Sequence, residues 1–167
     1  MIHPPRANFF DASALVKVFA REPDGERVRK YWENESPTKY TSHFCLYEAL
    51  SILKGLWKNR KAPRYTINEE QYHKAAWKLI TWYAATTRYS KDLDLHDQVV
   101  LREALALSQR HSLDLSDAFQ ILCVKEGLYS RLIEDSQTVL VTADDELAKA
   151  ATVEGIKSWN CLAGEPP

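Results

Sequence analysis

Two stretches decide the fold: Ala7-Asn8-Phe9-Phe10-Asp11-Ala12-Ser13 near the start, and Thr138-Val139-Leu140-Val141-Thr142-Ala143-Asp144 far downstream. Each is a short apolar run that stops at an acidic residue and leads into a helical pattern. Such runs read as strands buried on both faces, the kind found in parallel sheets. Ligands of open parallel sheets bind outside the carboxyl ends of the strands, where the strand order reverses. Asp11 and Asp144 are therefore delivered to the edge where a site is expected.

The other elements alternate in the same way. Helices are expected over Ser13–Ala20, Asp24–Glu35, Phe44–Lys58, Asn68–Arg88, Asp97–Arg110, Ser116–Ser130 and Asp145–Glu154. Short strands are expected at Lys39–Thr41 and Ile156–Trp159, with a further candidate at Asp92–Leu95. Strands interleaved with helices give an α/β class with a parallel sheet. Pro63, in the basic stretch 59–64, breaks a helical hairpin that elaborates the sheet core. The 167 residues read as one domain, with a core over about residues 7–160 and a disordered tail at 161–167.

Composition narrows the class without naming a function. Apolar residues make up 45% and charged residues 27%, as in ordinary globular chains, and no run is long enough to span a bilayer. The three cysteines, Cys45, Cys123 and Cys161, share no metal-ligand spacing and suit reduced thiols in a cytoplasmic protein. The five histidines form no ligand spacing either. A net charge of −1 argues against a protein that merely coats nucleic acid, but a nuclease with clustered carboxylates remains compatible.

Each acid also has an ordinary explanation. Asp11 is a good helix N-cap, although Ser13 can take that role and free it. Glu48 falls at the edge of a polar helical arc, so periodicity reads it as a solvated surface residue. Asp117 opens an apolar helix, where the dipole favours an acid, and its spacing from Asp114 resembles a capping box. Asp144 shares a turn with Asp145 and Glu146 after Thr142, itself a good N-cap. Three acids exceed what capping needs, which favours a bound cation there.

Taken together, the four acids resemble the PIN-domain family of metal-dependent ribonucleases, particularly toxins of the VapC type. The carrying motifs are Phe9-Phe10-Asp11-Ala12-Ser13-Ala14-Leu15, Glu48 in a helix after Thr41-Ser42, Asp117-Ala118, and Leu140-Val141-Thr142-Ala143-Asp144. The likeness spans Ala7 to Asn160, with a longer middle section than many members have. It implies a three-layer α/β/α sandwich with a central, mainly parallel sheet. It also implies an endoribonuclease whose catalytic and metal-binding residues are Asp11, Glu48, Asp117 and Asp144, with Asp145 the alternative fourth acid. Ser13 and Thr142 match the small polar residues that orient the ligands or the water. The implied partners are RNA, a second copy in a homodimer, and a small antitoxin covering the cleft.

Carboxylates without nearby thiols or imidazoles suit Mg²⁺ or Mn²⁺ rather than zinc, as one or two ions. Lys17, Lys58, Arg60, Lys61 and Arg64, beside Trp57 and Tyr65, are the candidates for RNA contact. A solvated helix–helix turn explains the same charges. Other α/β phosphate chemistries fit less well: the Asp-x-Asp of a haloacid-dehalogenase-like enzyme and the acid pair of a receiver domain are both missing. An RNA-processing nuclease outside any toxin system, or a silent PIN-like domain that binds RNA or protein, stays open.

Overall fold

The computed structural model describes residues 7–34, 38–58, 65–87, 93–94, 96–127, 130 and 138–166. Four strands lie among them: β1 (Ala7–Phe10), β2 (Thr38–Tyr40), β3 (Val139–Thr142) and β4 (Lys157–Asn160). They form one sheet in the order β2-β1-β3-β4, and every neighbouring pair is parallel. Seven α-helices accompany them: α1 (Ala12–Phe19), α2 (Glu26–Asn34), α3 (His43–Trp57), α4 (Glu69–Thr87), α5 (Gln98–His111), α6 (Leu115–Glu126) and α7 (Asp145–Val153). Every residue of β1 and β3 is buried, so both faces of the central strands are covered. That is the α/β/α sandwich expected for short apolar strands with no polar alternation.

Connectivity places the site. From β1 the chain crosses to β2 on one side, and later returns to β3 and β4 on the other. The order therefore reverses between β1 and β3, and their carboxyl ends meet there. Phe10 pairs with Val141, and the Asp11 amide donates to the Val141 carbonyl at 3.1 Å. Asn8, buried in β1, accepts from the Tyr31 hydroxyl at 3.0 Å.

An aromatic cluster fastens the added helices. Trp32 of α2 meets Phe10, Phe19 and Trp82 edge-on, at centroid distances of 4.7, 5.5 and 4.9 Å. This cluster joins β1, α1, α2 and α4. The expected hairpin is formed by α3 and α4, with Trp57 stacked on Tyr72 at 4.8 Å. Between α5 and α6, Ser112 takes a left-handed φ of 55°, and its neighbour Leu113 is tied back through its carbonyl to Ser108 Oγ at 2.7 Å.

Several boundaries differ from expectation for local reasons. The helix expected over Asp24–Glu35 begins as a 3₁₀ turn at Pro23–Gly25, and α2 starts only at Glu26; Glu35 lies outside the described residues. The helix expected to run to Ser130 ends at Glu126, and Gly127 takes an extended conformation. A side chain on Gly127 would come within 2.1 Å of the Cys123 carbonyl oxygen. Leu93 and Asp94 are not in a strand; Asp94 accepts from the His96 amide and starts the turn into α5. Asp92 and Leu95 lie outside the described residues. Residues 161–166 follow β4 with a turn. In that turn the Cys161 amide donates to the Thr142 carbonyl at 2.7 Å, and Ala163 donates to Asn160 at 3.0 Å. Among the described residues no helix is long and apolar enough to cross a membrane.

One ion-pair cluster ties α5 and α6 to the end of α7. Glu154 meets Arg110 at 2.7 Å, His111 at 2.8 Å and Lys125 at 2.9 Å, so His111 has a structural role that spacing did not reveal. These partners, His111 foremost, hold the Glu154 carboxyl at about 2, below its ordinary 4.5. The carboxylate is covered by long side chains rather than sunk in the core, so solvent and salt screen part of the gain. Glu154→Gln is expected to cost about 1–2 kcal/mol at neutral pH. Because the folded value is depressed, the contribution is present above 4.5 and fades as pH falls towards about 2. Chemical denaturation of both proteins at neutral and acidic pH measures this, and the gap should close in acid.

Candidate active site

Asp11 follows β1 and is only 3% exposed. It, rather than Ser13, is the N-cap of α1: its Oδ1 accepts from the Ala14 amide at 2.7 Å. Ser13 Oγ donates to the same carboxylate at 2.9 Å and accepts from the Ala143 amide at 2.8 Å. Thr142 Oγ1 donates to Asp11 Oδ2 at 2.8 Å and accepts from the Asp144 amide at 2.9 Å. Two hydroxyls thus stitch the β1–α1 turn to the β3–α7 turn. Thr142 is the last residue of β3 and does not cap α7. Burial pushes the Asp11 carboxyl up to about 6, against the lowering effect of these hydrogen bonds.

Asp144 is the α7 N-cap, accepting at Oδ1 from the amides of Glu146 and Leu147 at 2.8 and 3.1 Å. Asp145 belongs elsewhere. It is exposed, pairs with Lys149 one turn along α7, and its carboxyl lies below the ordinary range, chiefly through that bond. Glu48 projects from α3. It is exposed, as periodicity expected, yet burial of its carboxyl and the charges of Asp114 and Asp144 raise its pKa. Asp117, in the first turn of α6, is raised to about 7 by burial first and then by the charges of Glu48, Asp11, Asp144 and Asp114. The four acids therefore share one electrostatic field, although they come from four separate segments.

Sequence reading missed Asp114 as a member. Its spacing from Asp117 suggested a capping box, but its side chain makes no cap bond, and its charge acts on Glu48 and Asp117. The signal was present in Asp114-Leu115-Ser116-Asp117; capping explained it too readily.

The donor set fits a hard cation. Cys45 and Cys161 are buried close enough for the Asp11 charge to act on them, and burial, with that charge, pushes both thiols up to about 12. The donors that Asp11, Glu48, Asp117 and Asp144 offer are carboxylate oxygens, which suit such a cation. Among the described residues no three His, Cys, Asp or Glu side chains already converge as a metal cage, so a cation would have to draw the carboxylates inward.

The basic candidates divide. The Lys17 ammonium pairs with Glu22 and Asp24 and is committed to closing the turn after α1. Lys58 is exposed, 3.6 Å from the Trp57 ring centroid. With Tyr72 stacked on the same indole, little of that ring is left for a base. Arg60, Lys61 and Arg64 lie outside the described residues.

The PIN domain profile matches residues 9–153, which runs from β1 to the end of α7. The chain belongs to the PIN-domain family. PIN domains are typically nucleases that act on RNA and typically use divalent metal ions. No curated protein matches the chain in sequence.

Raised acids cost the metal-free protein stability. Asp117 favours folding below its ordinary value of 3.8, and that contribution is lost as pH rises through about 7. Asp117→Asn is therefore expected to stabilise the metal-free protein by about 1–3 kcal/mol above that range, and by little in acid. Thermal unfolding in EDTA across pH measures the difference; destabilisation at alkaline pH would contradict the electrostatic account.

Proposed function

We propose that this PIN domain is a Mg²⁺- or Mn²⁺-dependent endoribonuclease and the toxin of a toxin–antitoxin pair. The observation that supports it most is the group of acids from separate segments at the β1/β3 edge, where burial raises Asp11, Glu48 and Asp117 and like charge adds to it, most for Glu48 and Asp117. Carboxylates that act on one another oppose full ionisation until a cation neutralises them. Asp11, Glu48, Asp117 and Asp144 are the residues that would hold it, with Ser13 and Thr142 fixing Asp11. A bound divalent ion supplies an activated water and neutralises charge on the phosphodiester. Asp11 is a pre-set ligand, since three hydrogen bonds fix its rotamer before any ion arrives. Glu48 and Asp117 are less fully buried and adjust. In hydrolysis, water adds to phosphorus, the bond to the leaving ribose oxygen breaks, and that oxygen gains a proton. Lys58 and the basic stretch 59–64 are the proposed RNA contacts.

The toxin role rests on likeness to the VapC type, which also suggests a cytoplasmic homodimer inhibited by a small antitoxin.

The test is cleavage of a mixed RNA panel with Mg²⁺ or Mn²⁺, beside an EDTA control and variants. Asp11→Asn and Asp144→Asn are expected to lose on the order of 10²-fold or more, the scale of removing one electrostatic group at a reacting centre. Asp145→Asn is expected to stay near wild type. Equal cutting by wild type and Asp11→Asn would remove support for this site. Growth arrest on induction of wild type but not Asp11→Asn would favour a toxin. Cleavage without arrest would favour RNA processing.

A further inference from the structure

Gln120 is 1% exposed on α6, flanked by the buried residues Phe119, Ile121 and Leu122. Its amide Nε2 donates to Asp117 Oδ1 at 3.2 Å, while its Oε1 has no hydrogen-bond partner among the described residues. The two residues are three apart, so they share one face of the helix. A polar amide at such a position is a poor choice for packing. Half of it is unsatisfied, and an apolar side chain of similar volume would fill the site without that desolvation cost.

What the amide does instead is hold a carboxylate. The ionised carboxylate that a cation requires only accepts, so the donor end of the amide is the end that can hold Asp117 in that form. Glutamine is neutral, which matters. Lys or Arg at this place would cancel the charge on Asp117 and compete with a cation for it. An amide restricts the carboxylate and leaves its charge available.

We infer that Gln120 is a positioning residue that holds Asp117 in a ligand-ready orientation for the divalent cation, at the expense of a half-satisfied buried amide. This rests on the metal-site reading above. Partners that orient metal ligands typically change affinity by about 10–100-fold when removed.

The test is Mn²⁺ binding to the purified full chain, followed by the electron paramagnetic resonance signal of free Mn²⁺. Wild type is compared with Gln120→Met, Gln120→Asn and Asp117→Asn, and unfolding midpoints are taken in EDTA. Methionine keeps the volume without a donor, and asparagine keeps an amide too short to reach. Both are expected to weaken Mn²⁺ binding by about 10-fold or more. The EDTA midpoint of Gln120→Met should stay at or above that of wild type, whereas loss of a merely structural bond would lower it. If Gln120→Met does not fold, Gln120→Asn carries the comparison. A folded Gln120 variant that binds Mn²⁺ like wild type, while Asp117→Asn loses binding, overturns the inference and leaves the metal site standing. If wild type and Asp117→Asn bind alike, or neither binds, the metal-site reading itself falls and the inference falls with it.

Discussion

The hydrogen bond from Thr142 Oγ1 to Asp11 Oδ2 joins the carboxyl ends of the two central strands, and the site is built outward from that junction. It is possible only because β1 and β3 run parallel, with Phe10 opposite Val141. A one-residue slip in that register would turn Asp11 to the other face of the sheet. The buried faces of both strands prevent such a slip, since it would exchange core-facing residues along their whole length. Packing thus fixes the geometry of the acidic edge, although the strand residues that pack are not the acids themselves.

The same junction carries a conflict between stability and function. Asp11 sits in a nearly dry environment, and Asp117 is held up by burial and then by like charges, so each resists ionisation in the metal-free protein. Elsewhere the chain settles its charges locally: Lys17 with Glu22 and Asp24, Asp145 with Lys149, and Glu154 with three partners. Against that background, acids that oppose one another mark a place where stability has been given up. Perturbed acids concentrated at a strand-order switch point are a recognised sign of a functional site, because a cation can recover what the bare protein loses.

Much of this was legible in the sequence because it is encoded locally. Phe9-Phe10-Asp11 and Leu140-Val141-Thr142-Ala143-Asp144 announce buried strands that end in acids, and their strand character, order and sheet edge follow. Residues whose role depends on another segment were harder to read. Periodicity leaves Glu48 on the surface, and its exposure agrees; only the approach of α6 and the β3–α7 turn brings other charges to it. Capping rules explained Asp114 so readily that its place beside Glu48 and Asp117 was hidden. Local rules left Asp11 and Ser13 as rival caps at the first turn and favoured Thr142 at the second; Asp11 and Asp144 cap their helices, while Ser13 and Thr142 bond across to the opposite turn. Such bonds span the length of the chain and leave no mark in any short window of sequence.

The most direct test of the central claim is the proton balance of metal binding. Titration calorimetry of Mg²⁺ or Mn²⁺ at about pH 6.5, in buffers of different ionisation enthalpy, counts the protons released. Asp11 and Asp117, raised to about 6 and about 7, are partly protonated there and must give up protons to become ligands. Net proton release that falls away at more alkaline pH is the expected result. Binding without proton release, or binding that Asp11→Asn leaves unchanged, would contradict the claim that these acids are the metal site.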